Sequence, residues 1–413
     1  MGPVPQEQEA AVTENSIGVC PVYRECGGCQ LQNVPYVEQL RRKQEREEQL
    51  LGRFQKVEQI IGMQDPTHYR NKVTAAFGED RNKHIVSGIY QPNSHRIVPV
   101  DSCMIEDRIS DEIIVDIRNM LPEFRIRAYQ ERNGSGWLRH VMIRSGFRTG
   151  ELMVVLVAAS PTFKTQKPFL QELLKRHPEI TTVVLNINSA FGPVVLGRQN
   201  RVLYGNGWIE DVLCGHRFRI SPRSFYQINP VQTEVLYGKA VEFAELKGTE
   251  TVLDAYCGIG TIGITASDRA KQVVGIELNR DAVSDARINA KRNGIRNCWF
   301  SAGDAGEYMQ QMAKEGMRPD VVFMDPPRAG SDRKFLSALL KTAPERIIYV
   351  SCDPETLARD LKILSEGSYS VQRIQPVDMF PFTSHVETVC CLYHQKKDFI
   401  SVPYEPKNDG YLK

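Results

Sequence analysis

Three absences bound the reading of this 413-residue chain. It has no apolar run of the roughly 18 residues that a membrane-crossing helix needs. Its first residues, MGPVPQEQEAAVTENSIGV, lack the basic stretch followed by an apolar one that marks an export signal. Its net charge is only +2, so no global field draws it to a polyanion, although a local basic face would be enough. Nor does the chain show an internal repeat or a long low-complexity tract. What remains is ordinary: 41% hydrophobic and 25% charged residues, with room for a sizeable core and two or more domains. The expectation is a soluble cytoplasmic protein, monomeric and with no membrane partner.

Ten cysteines are present, at 20, 26, 29, 103, 214, 257, 298, 352, 390 and 391. Without an export signal, disulfides are not expected, and clustered cysteines read as metal ligands or catalytic thiols. Cys20, Cys26 and Cys29 cluster in CPVYRECGGC.

The texture changes twice along the chain. Residues 1–18 read as a disordered tail. Residues 34–56 carry helix formers and many charges, which predicts a mostly exposed helix. From about residue 69, short β-rich runs follow: KVTAAF, RHVMIRSG, ELMVVLVAAS and TTVVLNIN. They predict a mainly antiparallel α+β domain over 19–222. After about residue 222, short apolar strands (TVLDAY, QVVGIEL, DVVFMDPP, RIIYVSCDP) alternate with helical stretches. That is the rhythm of an α/β, doubly wound parallel sheet over 223–413, with a ligand crevice at the strands' carboxyl ends.

The chemistry-bearing residues fall at those ends. In VLDAYCGIGTIGI, Gly258, Gly260 and Gly263 fit a glycine-rich turn into a helix. That motif is shared with dinucleotide enzymes. Asp254 stands inside the strand before it, and Glu277 ends the next strand, where a carboxylate can accept from both ribose hydroxyls. Asp304, after the third strand, could take an adenine amino group. An acid before G-x-G resembles class I S-adenosylmethionine methyltransferases more than dehydrogenases. Asp325 sits in MDPPRAG, on a loop stiffened by two prolines. Cys352 sits in SCDP, just past a strand and among residues foreign to a core, so a nucleophile is favoured over packing. A thiolate adding to carbon 6 of uracil would make carbon 5 able to attack a methyl group. The proton on carbon 5 then needs a general base. Glu387, in PFTSHVETVCCL between Val386 and Val389, is placed for a raised pKa. Asp353-Pro354-Glu355 reads as a helix start.

SCDP, DPPR, FPFTSHVETV and the early C-x5-C-x2-C together resemble the RNA uracil-5-methyltransferases, over about residues 19–395. The resemblance implies a class I methyltransferase domain and S-adenosylmethionine as cofactor. It makes Cys352 the nucleophile and Glu387 the base. It puts Gln227, Tyr256, Glu277 and Asp325 at the cofactor, with Thr261 at a further position in the glycine turn. It also implies a [4Fe–4S] cluster on Cys20, Cys26, Cys29 and Cys103, as in the family's ribosomal branch. Spacing alone would equally suit a tetrahedral zinc. The four cysteines favour 23S rRNA as partner over tRNA. The 19 residues before Cys20 are too few for the family's TRAM β-barrel, so either a barrel-less member or a shortened chain is expected. A helix over about 38–66 is expected to pack on the catalytic domain. Phe225 is a candidate for stacking the flipped base, or else core, and Arg70, Lys72, Arg139 and His140 are candidate phosphate contacts. An RNA cytosine-5-methyltransferase lacks support, since no T-C context or P-C motif is present. A non-catalytic iron–sulfur RNA-binding protein would not need Cys352 and Glu387 together.

Overall fold

The computed structural model describes residues 18–316 and 318–395. All but one residue of the expected tail lies outside them. The chain begins with a short helix α1 (Tyr23–Cys26) and the longer α2 (Tyr36–Leu51). A first half then follows: β1 (Lys72–Glu79), β2 (Ile85–Tyr90), β3 (Ile97–Pro99), α3 (Arg108–Glu123), β4 (Leu138–Ser145), β5 (Leu152–Ala158), α4 (Gln166–Arg176), β6 (Ile180–Ile187) and β7 (Gln199–Tyr204). These strands form one sheet ordered β3-β2-β1-β4-β5-β6-β7, antiparallel throughout except at β5–β6. The run LMVVLVA of β5 is buried at every residue. It does not alternate because both faces are covered. On one face Val154 and Leu156 meet Ile113, Ile117 and Leu173 of α3 and α4. On the other, Val155 and Val157 join Ile209, Leu213 and Phe218 of a hairpin, β8 (Ile209–Leu213) with β9 (His216–Ile220).

The second half alternates as expected: α5 (Pro230–Ala244), β10 (Thr251–Ala255), α6 (Thr261–Ser267), β11 (Gln272–Glu277), α7 (Arg280–Arg292), β12 (Cys298–Ala302), α8 (Ala305–Lys314), β13 (Val321–Met324), α9 (Arg333–Thr342), β14 (Arg346–Ser351), α10 (Pro354–Gly367), β15 (Tyr369–Val377) and β16 (Glu387–His394). Its sheet runs β12-β11-β10-β13-β14-β16-β15, with β16 antiparallel to both neighbours. The residues of α5, α6 and α7 pack on one face and those of α2, α8, α9 and α10 on the other. The core on the α5 side also takes in Met142, Val155 and Val184 of the first sheet, so one continuous core joins the two halves.

Helix α2 departs from expectation in two ways. It stops at Leu51 rather than near residue 66. The chain then runs extended beside β15: Val57 bridges Ile374 and Ile61 bridges Val377, and the Glu58 amide donates to the Ile374 carbonyl at 2.9 Å. Nor is α2 mostly exposed, because Tyr36, Gln39, Lys43, Gln44, Glu47 and Leu51 are buried. The Lys43 ammonium lies 2.6 Å from Asp378 Oδ1, and the Tyr36 hydroxyl donates to Asp378 Oδ2 at 2.9 Å. A pair this buried costs desolvation and is held by its hydrogen bonds. Removing one partner would leave the other charge stranded.

Cys29 and Cys103 sit against a small core of Tyr36, Met63, Tyr69, Ile105 and Phe382, drawn from both ends of the chain. The Leu31 amide donates to the Phe382 carbonyl at 2.9 Å.

Candidate active site

β10 ends in a turn that only certain backbones can make. Tyr256 (φ 63°), Gly258 (φ 55°) and Gly260 (φ 84°) are all left-handed. A non-glycine residue held there is strain of the kind that gathers at functional sites. A Cβ on Gly260 would lie 2.9 Å from Phe300 Cζ, and one on Gly263 would lie 2.7 Å from Asp254 Oδ2. Beside Gly258 the space is open. This is a cradle that a side chain would fill.

Buried Asp254 accepts from the Gly263 amide at 2.8 Å and so ties the strand to the start of α6. Burial pushes its carboxyl up to about 8, with Asp325 and Glu277 adding to the rise. Glu277, at the end of β11, accepts from the Gly258 amide at 3.1 Å and from the Asn279 amide at 2.8 Å. Its carboxylate is thereby fixed at the rim of the cradle. The Tyr256 hydroxyl meets Ser331 Oγ at 3.1 Å. Thr261 Oγ1 lies 3.3 Å from the buried Tyr237 hydroxyl. The Gln227 carbonyl accepts from Asn71 Nδ2 at 3.1 Å, anchoring it to the first sheet. Asp304 lies two residues past β12 and spends Oδ1 on capping α8, accepting from the Glu307 amide at 2.9 Å.

Strand register lines up the rest. β13 is parallel to both β10 and β14, and its last residue, Met324, is level with Ala255 and Tyr349. Asp325 is the next residue, level with Tyr256. β14 ends at Ser351 opposite Thr388, so Cys352 follows opposite Glu387. Thus Asp325, Cys352 and Glu387 leave three neighbouring strands at one edge. Burial pushes Asp325 up to about 7. Glu387 is 4% exposed and is raised well above a normal glutamate by burial, then by Asp325 and Glu47. The Cys352 thiol is pushed up to about 12 by burial, then by Glu387 and Asp325. A thiol facing two carboxylates rests protonated, and a carboxylate this dry is a strong base once ionised.

Several residues here escaped sequence reasoning. Asp360 accepts from the Ser331 amide at 2.8 Å and from the Tyr349 hydroxyl at 2.7 Å, fixing the loop after Asp325. Asp353 caps α10 and lies 3.5 Å from Arg328 Nε. Glu47 of α2 accepts from Thr388 Oγ1 at 2.9 Å, and its buried Oε1 has no partner among the described residues. Asp360 and Glu47 carry no motif signal, because each is a polar residue inside an otherwise amphipathic helix; Asp353, by contrast, stands in the SCDP motif, at the helix start expected there. Tyr237 had no signal either.

The proposed RNA contacts divide. Phe225 is 62% exposed, which excludes the core alternative. Arg139 and His140 are buried and are not phosphate contacts. The Arg139 guanidinium donates to the carbonyls of Asn188 at 2.8 Å and Ala190 at 2.6 Å. Burial and Arg139 push His140 down to about 4, so it is neutral. Lys72 is pushed down to about 8 by burial, then by Arg144 and Arg70. Arg70 lines an open groove with Asn71, Ser145 and Phe147.

Cys20, Cys26 and Cys29, clustered in sequence, and the distant Cys103 line one small cavity. The Cys29 thiol is pushed up to about 11 by burial, then by Cys26 and Cys20. Gly27 makes the left-handed turn between Cys26 and Cys29, where a Cβ would lie 2.4 Å from Pro92 Cγ. Among the described residues, no three Cys, His, Asp or Glu side chains form a group that could hold one metal ion.

Three comparisons bear on this geometry. A family model described as tRNA (uracil-5-)-methyltransferase matches residues 35–396. An uncharacterised RNA methyltransferase of Halalkalibacterium halodurans is 44% identical over 378 residues, covering 90% of this chain and 82% of its own. One of Clostridium acetobutylicum is 43% identical with the same coverage. The crystal structure of Pyrococcus abyssi tRNA (uracil-54, C5)-methyltransferase in complex with S-adenosyl-L-homocysteine superposes with a TM-score of 0.76 at 30% identity, covering 88% of this chain and 85% of that one.

Burial of Glu47 generates a pH-dependent stability. Its carboxyl is pushed up to about 7 by burial, from 4.5. The folded state therefore holds a proton that the unfolded chain releases near 4.5, and stability falls as pH rises through about 7. Glu47→Gln should remove that part of the fall, of order 3 kcal/mol at 1.36 kcal/mol per unit. Urea unfolding at about pH 5 and pH 8 measures it. An unchanged difference between the two pH values in the variant would contradict the assignment.

Proposed function

The chain belongs to the tRNA (uracil-5-)-methyltransferase family of S-adenosylmethionine-dependent RNA methyltransferases, and from that premise we propose that it methylates carbon 5 of a uridine in RNA through a covalent adduct on Cys352. The register that sets Cys352 opposite Glu387, with Asp325 on the adjoining strand, carries the proposal.

Carbon 5 of uracil is a weak nucleophile. The target base leaves the stack to reach the sheet edge, stacks on exposed Phe225 and presents an edge to Asp325. The Cys352 thiol gives its proton to solvent as the base docks, the thiolate sulfur adds to carbon 6 as the carbon 5–carbon 6 double bond opens, and carbon 5 gains enolate character. Gln227, Tyr256, Thr261, Glu277, Asp304 and Asp325 would hold S-adenosylmethionine at the glycine turn, and it would supply an electrophilic methyl group. As the carbon 5–methyl bond forms, the methyl–sulfonium bond breaks. Glu387 takes the remaining proton from carbon 5. The carbon 6–sulfur bond then breaks, restoring the ring double bond and the thiolate.

Cys20, Cys26, Cys29 and Cys103 would hold a [4Fe–4S] cluster, which would brace the junction where both ends of the chain meet. The cysteine set favours 23S rRNA as substrate. A second reading, tRNA, has support from the description of the matching family and from the archaeal relative.

Two experiments test these readings. Protein purified without oxygen is incubated with labelled S-adenosylmethionine and unmodified 23S rRNA or tRNA, and nucleosides are analysed by mass spectrometry. 5-Methyluridine should form on rRNA. Product on tRNA alone would favour the second reading, and product on neither would contradict the activity. Cys352→Ala should lower turnover by about 10³-fold or more while S-adenosylmethionine still binds. Glu387→Gln should accumulate adduct without release. Separately, iron and acid-labile sulfide should be present at about four each per chain and be lost in Cys103→Ser. One zinc per chain without iron would contradict the cluster.

A further inference from the structure

The chemistry above leaves unused a groove on the outer side of β12. That strand is the edge of the catalytic sheet and pairs with β11 alone. The groove is lined by Arg287 and Lys291 of α7, by Arg296 in the loop before β12, and by Trp299 and Ser301 of the strand itself. Trp299 is 53% exposed, unlike Trp137, which is buried, and Trp208, which lies under Arg219 and Arg292. Arg287 donates twice to the Phe300 carbonyl, at 2.8 and 2.6 Å, so its guanidinium is fixed against the strand. Among the described residues, Arg287, Lys291 and Arg296 have no carboxylate partner, whereas neighbouring Arg292 pairs with Glu210. Three uncompensated cations around one bare indole suit a flexible polyanion that carries flat rings. An apolar protein surface would leave those cations buried and unpaired.

We propose that this groove holds a single-stranded part of the RNA substrate flanking the target uridine, with Trp299 stacked on a base and Lys291 and Arg296 on its phosphates. The proposal rests on the RNA reading above and adds a second point of attachment to it. β12 lies four strands from β14, about 19 Å at about 4.8 Å per strand. The bound stretch is therefore distinct from the base at Cys352, and a short RNA limited to the target loop would not reach it.

The test compares a long rRNA fragment with a short hairpin that carries only the target loop. Trp299→Ala should raise KM for the long fragment about tenfold and leave the hairpin's kcat and KM unchanged, which also shows that the variant is folded. The double variant Lys291→Ala and Arg296→Ala should lower the slope of log affinity against log salt by about 1.4, at about 0.7 per lost contact. Quenching of Trp fluorescence by the long fragment should largely disappear in Trp299→Ala. Wild-type KM and salt slope in both variants, with methylation intact, would overturn the groove and leave the RNA reading standing. A wild type that neither binds nor methylates RNA would overturn both.

Discussion

Parallel pairing of β10, β13 and β14 is the constraint on which the site depends. It fixes the strand ends at one edge of the sheet, so residues far apart in the chain, Tyr256, Asp325 and Cys352, leave three successive strands there. The antiparallel β16 completes the row by bringing Glu387 opposite Cys352. Since side chains alternate between faces, a slip of one residue in β16 would turn Glu387 to the other face of the sheet. The long buried contacts of β16 on both sides, and the clamp of α2 and residues 57–61 on β15, resist such a slip.

The second consequence of that geometry is crowding of acids in a dry place. Asp254, Asp325, Glu387 and Glu47 gather at or behind one sheet edge, and each is raised by burial before any neighbour acts. This costs stability at neutral pH. On the proposed chemistry, it keeps Glu387 basic enough to strip a proton from carbon. Burial, then Glu387 and Asp325, hold the Cys352 thiol up. On that chemistry, a basic Glu387 and a cost in stability share one cause, the burial of acids.

Much of this edge was legible in the residues. Apolar runs ending in Gly, Pro or an acid mark strands that stop at a crevice, and Asp254, Glu277, Asp325 and Cys352 all follow that rule. Helix α2 was legible as a helix and not as a core element, because its buried stripe is Gln39, Lys43, Gln44 and Glu47. Apolar periodicity is blind to polar residues that are buried in pairs. Arg139 and His140 misled for the same reason: a charged strand residue reads as surface unless its partner carbonyls, here in the loop at 188–190, are known. That Cys103 joins Cys20, Cys26 and Cys29 came from resemblance, since 74 residues separate it from Cys29.

The measurement that bears most directly on the central claim is trapping with RNA in which 5-fluorouridine replaces the target uridine. Fluorine on carbon 5 cannot leave as a proton does, so the reaction should halt after methyl transfer with the RNA still on the thiolate. A stable protein–RNA adduct, dependent on S-adenosylmethionine and mapped by peptide mass spectrometry to Cys352, is the predicted result. An adduct on another residue, or equal trapping by Cys352→Ala, would contradict the account.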